Sequence, residues 1–358
     1  MSNQFIFKSK HFQLVPGEFK WSAPSNIALV KYWGKKELQI PQNPSLSFTL
    51  SHCKTTTSLY FEPKEVDDSF SFEVYYEGVL KEDFHPKIDA FLKRIEIYVP
   101  FIKHLSLKID TSNTFPHSSG IASSASGMSA LALCIMSIER LLDKEMSSEY
   151  FYQKASFLSR LGSGSACRSI EGPIVSWGMH ESINDSSDLY GSKFDESVHP
   201  VFQDFQDTIL LIDKGQKQVS STLGHNLMFN HPYATQRFSQ AHENITILKA
   251  IFKSGNLSDF IALVESEALT LHAMMMTSFP YFILMKPNTL AVINKVWEFR
   301  NQTGLNLCFT LDAGANIHLL YPKSEAKETL MFIQNELISY CENKQFIIDE
   351  MGGGAFEH

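Results

Sequence analysis

Four short segments of this chain carry side chains able to grip phosphate or move a proton. The segment TLDAGAN places one acid, Asp312, at the end of an apolar run and before a turn of small residues. A carboxylate there, facing a cleft, can accept a hydroxyl proton as that hydroxyl attacks a phosphoryl group. The segment APSNIALVKYWGKK, residues 23–36, sets Lys31, Lys35 and Lys36 beside Tyr32 and Trp33. The segment GSGSACRS, residues 162–169, combines hydroxyls, small residues and Arg168, whose planar guanidinium can take two phosphate oxygens at once. Finally, HSSGIASSASG runs into an Ala, Met and Leu stretch that reads as a buried helix. Small residues ahead of a helix start let backbone amides and the positive dipole end approach an anion. From spacing alone each segment has a plainer alternative: a turn-forming aspartate, a solvated lysine edge, a Gly/Ser connector or a tightly packed loop.

The absences narrow the chemistry. There is no Walker ending G-K-[ST], no G-x-G-x-x-G, no H-E-x-x-H and no G-x-S-x-G. Cys53, Cys134, Cys167, Cys308 and Cys341 are scattered without a C-x-x-C pair, which suggests neither a disulfide framework nor a zinc ribbon, and no metal-ligand set is assigned. A reducing cytoplasm fits this cysteine usage. A formal net charge of −8 argues against broad nucleic-acid binding, so an anionic ligand must meet local cations. The N-terminal MSNQFIFKSKHFQ interrupts its apolar residues with charge, and no stretch is expected to supply the roughly 20 apolar residues of a membrane span.

The elements that must position these residues are of both kinds. Length, 358 residues, suggests two lobes with a cleft between them. Strands are expected at KTTTSLYFEP, FSFEVYYEG and LSLKIDT, with a helix over PKIDAFLKRIEIYV. Past about Val201 the pattern gives a buried strand at TILLID and three helical stretches between Tyr233 and Asn301. Ser258 and Asn288 are expected N-caps, and Gly255 and Gly304 C-caps. LNLCFTLD and IHLLYP read as a strand pair around AGAN, followed by a helix, SEAKETLMFIQNELISYC, and a last strand, QFIIDE. The mixture predicts an α+β fold, with lobes at 1–200 and 201–358 and the boundary in the polar stretch from Asn184 to Phe205.

Taken in order, the four segments resemble those of the mevalonate diphosphate decarboxylases of the GHMP kinase superfamily. Residues 23–36 are similar to that family's A-P-x-N-I-A-x-x-K-Y-W-G-K signature, followed by PQNPSLSFTL. TFPHSSGIASSASG resembles its ATP loop, SRLGSGSACRS its diphosphate loop, VSSTLGH its second-lobe serine segment and TLDAGAN its catalytic turn. LHAMMMTSFPYF adds further likeness. The resemblance implies a first lobe like ribosomal protein S5 domain 2 and a ferredoxin-like second lobe. It implies ATP-dependent decarboxylation of mevalonate 5-diphosphate to isopentenyl diphosphate with Mg²⁺, in a cytoplasmic homodimer that needs neither nucleic acid nor membrane.

Carried across residue by residue, the resemblance implies Asp312, Lys31 and Arg168 as catalytic. Substrate would meet Tyr32, Trp33, Gly34, Lys35 and Lys87, then Ser163, Gly164, Ser165, Ala166, Cys167 and Arg168, with Ser221 and Thr222 from the second lobe. ATP would meet Asn113, Ser119, Gly120, Ala122, Ser123 and Ser124. His117 to Ser119 and Ala315 depart from the family pattern, and Lys87 stands where many members have arginine. The nearest alternatives are a mevalonate 5-phosphate decarboxylase or a mevalonate kinase. A catalytically silent nucleotide-binding regulator is the alternative of another class.

Overall fold

The computed structural model describes residues 3–8, 13–65, 69–116, 121–213, 215 and 221–358. The first lobe forms around a long antiparallel pair, β1 (Gly17–Val30) and β2 (Ser45–Pro63). Beside β2 lies β5 (Leu105–Asn113), and parallel to β5 lies β3 (Ser71–Tyr76), which turns back into β4 (Val79–Leu80). The opening residues of β2 pair instead with β6 (Ile174–Trp177), which pairs with β7 (Ser192–Lys193). The strand expected at Lys54 thus begins earlier, at Ser45, because SLSFTL alternates in register with β1 and β6.

Three helices cover one face of this sheet: α1 (His85–Ile95), α2 (Ser123–Leu142) and α3 (Ser148–Gly162). Helix α1 buries Ile88, Phe91, Leu92 and Ile95, an i, i+3, i+4, i+7 stripe, and stops short of the expected Val99. Helix α2 is apolar nearly all round because it lies in the middle of the lobe. Contrary to expectation it is long and apolar enough to cross a membrane by length and composition, yet 78% of that window is buried inside the fold.

The second lobe is a four-stranded antiparallel sheet in the order β11–β8–β10–β9: β8 (Gln206–Leu210), β9 (Cys308–Thr310), β10 (Ile317–Tyr321) and β11 (Phe346–Glu350). Its helices are α4 (Ser221–Asn226), α5 (Ala234–Ser254), α6 (Leu257–Met276), α7 (Pro287–Thr303) and α8 (Ala326–Phe332). Gly255 and Gly304 close α5 and α7 at φ +76° and +73°, the left-handed C-cap the sequence indicates. The N-caps differ from expectation. Asn256, not Ser258, caps α6 by accepting from the Asp259 amide, and Lys286, not Asn288, precedes α7 because Pro287 takes the first helical position. The helix expected from Ser324 to Cys341 is α only to Phe332, then a π turn (Ile333–Leu337) and a 3₁₀ turn (Ile338–Tyr340).

Two features join the lobes. A shared apolar seam packs Ile27, Leu29, Phe48 and Leu50 of the first sheet against Phe205, Ile209, Ile245 and Phe260 of the second lobe. Beyond β11 the chain also returns to the first sheet, where β12 (Phe356–Glu357) pairs with β1, so the expected division at residue 201 does not separate all of the first sheet from the second lobe. Within β11 itself, the Asp349 carboxylate accepts the amides of Ser51, His52 and Cys53. The architecture is α+β in two fused lobes.

Candidate active site

A cavity of about 400 Å³ lies between the lobes. Lys31 enters it from the first lobe, one residue after β1 ends. Asp312 enters from the second, two residues after β9. Lys31 Nζ donates to Asp312 Oδ1 at 2.9 Å. The lysine side chain is 2% exposed and the aspartate 31%, so the carboxylate is the member of the pair a ligand reaches. Burial lowers the Lys31 pKa, against the pull of Asp312. Burial alone would raise Asp312, but the adjoining ammonium, through charge and hydrogen bond, leaves its carboxyl below the ordinary range. Asp312 is therefore ionised at neutral pH. Behind it, the His272 ring donates to the Asp312 carbonyl at 3.2 Å, and burial pushes that imidazole down to about 4.

Arg168 faces the same cavity from a 3₁₀ helix over Gly164–Ser169. Three residues per turn align Ser165 with Arg168, and both line the cavity. Ala166 and Cys167, carried into the substrate-binding set by the resemblance, are instead turned to the interior at 0% and 1% exposure. Burial pushes the Cys167 thiol up to about 12, which leaves it unreactive. Arg168 is itself 3% exposed and is aimed by the first sheet: its Nε donates to Ser47 Oγ at 3.0 Å and its Nη1 to Ser45 Oγ at 2.5 Å. Alternate residues of a strand share a face, so the SLS triplet opening β2 supplies both hydroxyls.

Lys35 and Lys87 add two further cations to the lining. Lys35 is half-buried and its pKa is lowered by that burial and by Arg94. Lys87 stands in the first turn of α1. Tyr32 presents a buried hydroxyl that has no hydrogen-bond partner among the described residues, and burial raises its pKa. Gly164 must be glycine here, because a Cβ would lie 2.9 Å from that hydroxyl. Trp33, Ser163 and Ser165 complete this wall, while Gly34 contributes its amide.

That amide leads to a residue the sequence reading missed. Gly34 N donates to His225 Nδ1 at 2.9 Å, so the neutral imidazole carries its proton on Nε2. The ring lies against Tyr32 and Trp33, with centroids 4.2 and 4.6 Å away, and it lines the cavity. Burial, then Lys35 and Arg168, push its pKa down to about 3. The only sequence signal was its place at the end of VSSTLGH. Ser221 and Thr222 open α4, which delivers His225, and their side chains lie outside the described residues.

A second cavity, of about 180 Å³, lies within the first lobe and shares Lys87 and Ser124 with the first. Apolar Val74, Ile88, Ile109 and Leu131 line it together with Asn113, Ser123 and Thr55. Between the cavities α2 begins at Ser123, behind Ala122 in the left-handed conformation at φ 47°. Ser124 Oγ is 3.3 Å from Ser163 Oγ, which joins the helix start to the Arg168 segment. Ala122 and Ser124 line the larger cavity. Ser119 and Gly120 lie outside the described residues. Among the described residues no group of three or more His, Cys, Asp or Glu side chains is arranged to hold a metal ion.

Residues 23–188 match the family model described as the diphosphomevalonate decarboxylase-like N-terminal domain, and residues 207–352 match the mevalonate 5-diphosphate decarboxylase C-terminal domain. The diphosphomevalonate decarboxylase of Ganoderma lucidum is 29% identical over 330 residues, which is 87% of this chain and 80% of that protein. The Saccharomyces cerevisiae protein of the same name is 28% identical over 87% of this chain and 80% of its own length. Among solved structures, mevalonate diphosphate decarboxylase from Staphylococcus aureus superposes with a TM-score of 0.81 at 26% identity, over 96% of this chain and 98% of that one. A chain solved in complex with MVAPP, AMPPCP and magnesium shares the fold at a TM-score of 0.81, with 24% identity and coverage of 96% and 99%.

Proposed function

The chain belongs to the mevalonate diphosphate decarboxylase family, and on that premise we propose that it converts ATP and mevalonate 5-diphosphate to ADP, phosphate, carbon dioxide and isopentenyl diphosphate. One observation carries the reading: the Lys31–Asp312 pair and Arg168, distant in sequence, line one cavity. The cavity holds cations enough for a diphosphate in a protein of net charge −8. Arg168, Lys35 and Lys87, with the hydroxyls of Ser163 and Ser165, bind the diphosphate and point the 3-hydroxyl at Asp312. The smaller cavity suits a nucleoside, since it is mostly apolar with a few polar groups. ATP lying from there across the start of α2 brings its phosphates to Ser123, Ser124 and the helix dipole.

Phosphoryl transfer has a loose transition state that asks for position and charge stabilisation more than for a strong base. A carboxylate of lowered pKa fits that demand: Asp312 orients the 3-hydroxyl and accepts its proton as the oxygen takes the terminal phosphoryl group. Lys31 balances the negative charge gathered there. The oxygen now bears the phosphoryl group through a new O–P bond; the original C3–O bond then breaks with release of phosphate, the carboxylate leaves as carbon dioxide, and its bonding electrons close the alkene. Buried cations beside the departing phosphate, Lys31 and Arg168, favour that step over stopping at the phosphorylated alcohol. Mg²⁺ is held mainly by phosphate oxygens and water, with at most a few protein oxygens. The hydroxyls of Ser123 and Ser124 at the edge of the ATP path fit that need without a carboxylate cage, and the ion would neutralise charge on the ATP phosphates.

The reading includes a cytoplasmic homodimer. Supporting a second copy are Phe279, Tyr281 and Ile283, which one loop exposes at 89%, 74% and 62%. The deciding experiment supplies ATP and Mg²⁺ with either mevalonate 5-diphosphate or the 5-phosphate and follows carbon dioxide and phosphate together. Equal release of both from the diphosphate is expected. Consumption of ATP without carbon dioxide would make the protein a kinase, and no turnover with either compound would leave only a binding role.

A further inference from the structure

Lys31 has left the β1 ladder, so its own backbone N–H and C=O are buried and need partners from elsewhere. Each finds a partner in the other lobe, and the carbonyl has a second in its own. Lys31 N donates to Glu267 Oε2 on α6 at 2.8 Å. Lys31 O accepts from Arg237 Nη2 on α5 at 3.1 Å and from Asn43 Nδ2 at 2.9 Å. Glu267 and Arg237 are themselves joined by two hydrogen bonds, Nη1 to Oε1 at 2.8 Å and Nη2 to Oε2 at 2.5 Å, and Asn244 donates to Oε1 at 2.5 Å. Both side chains are 1% exposed or less. A buried ion pair of this kind is a weak stabiliser relative to an apolar replacement. Its presence under one lysine therefore calls for another reason.

We propose that Glu267 and Arg237 are positioning residues for the reaction: reaching from the second lobe, they lock the peptide groups on both sides of Lys31 and so hold its ammonium on Asp312. Lysine is a flexible point charge on a four-carbon stem, and a clamp at its backbone limits where that charge can go. The clamp also ties the two walls of the cavity to one reference. α6 supplies Glu267 and, five positions on, His272, which holds the Asp312 carbonyl. The groups acting on Lys31 are Asp312, Glu267, His272, Arg168 and Asp207, with Arg237 beside Glu267.

The inference rests on the decarboxylase reading but is tested separately from it. Two variants are compared with the parent protein, Glu267→Gln and the paired replacement Arg237→Met with Glu267→Leu, which leaves no buried charge unmatched. Both are expected to lower kcat by about tenfold or more while KM for each substrate stays within about threefold. The paired variant should melt within a few degrees of the parent. Lysine-selective ¹³C NMR, assigned with Lys31→Arg, should show the Lys31 ammonium titrating at lower pH in both, because Glu267 stabilises its charge. Parental kcat and an unmoved Lys31 titration in the paired variant would overturn the proposal. Failure of both variants to fold would overturn it too, by giving the pair a structural role alone. A parent protein without carbon dioxide release would sink the decarboxylase reading, whereas the Lys31 titration still judges the clamp.

Discussion

Asp312 and Lys31 define what pH can do at the site. The Asp312 carboxyl is held below its ordinary range, so it stays ionised as pH falls toward 4. The Lys31 ammonium is lowered from 10.5, so it loses its proton at a lower pH than an exposed lysine would. Turnover should hold as pH falls from neutral toward 4 and, on the alkaline side, fall at a lower pH than an ordinary lysine at 10.5 would set, which a kcat profile checks. Asp312→Asn should cut kcat by about 10² to 10⁴-fold with substrate binding largely kept. An unchanged kcat would remove this carboxylate from the mechanism.

His225 behaves in the opposite sense. Its folded pKa near 3 lies below the ordinary 6.5, so the folded protein resists a proton that the unfolded chain accepts. Stability is full above pH 6.5 and falls by about 1.4 kcal/mol per pH unit per such histidine as pH drops toward 3. His225→Asn offers an oxygen to the Gly34 amide but has no proton to gain. Denaturant midpoints from pH 6.5 to 4 should slope less steeply for it, by about one proton, while KM for the diphosphate rises.

Lys31, Arg168 and Asp312 are legible only through the order of the four segments, because each read alone has a plainer alternative. His225, Glu267 and Arg237 were not legible. Each acts through a partner about 190 or more positions away in sequence, and no local pattern marks such a partner.

At the level of elements, backbone geometry decides which residues reach the cavity. The stretch from Ser163 to Arg168 reads as one uniform loop, yet its 3₁₀ winding turns Ser165 and Arg168 one way and Ala166 and Cys167 the other. Two glycines separate conformational cost from steric cost. Gly304 has φ +73° and nothing within 4 Å of where a methyl group would sit, so Gly304→Ala should cost about 1 kcal/mol of stability and leave kinetics alone. A methyl at Gly164 would press on Tyr32 and Trp177, so Gly164→Ala should raise KM for the diphosphate with little change in Tm. Melting curves set beside KM values distinguish the two. Strong periodicity made α1 readable, whereas α5, α6 and α7 read only as helical stretches, with glycine marking two of their ends. The N-caps slipped because several polar residues precede each helix and only geometry shows which side chain meets the amides.

For the molecule as a whole, the apolar seam between the lobes is the controlling feature. Interfaces between mobile domains are usually more polar, whereas here phenylalanine, isoleucine and leucine of both lobes form one cluster. The lobes should therefore unfold together. Calorimetry is expected to give one transition with matching calorimetric and van't Hoff enthalpies, and two resolved transitions would show the seam to be weaker than its composition implies. A length near 360 residues suggested two lobes, but no composition signal could tell that their cores merge.

The pairing of β12 with β1 sets an order on synthesis. Trp21 and Ser22 leave the ribosome early, yet the strand that covers this edge, Phe356 and Glu357, is made last of all the described elements. An uncovered strand edge is a template for wrong partners. Between the synthesis of β1 and that of β12 the growing chain therefore carries an open border, and a holding chaperone would have its greatest effect before β12 emerges.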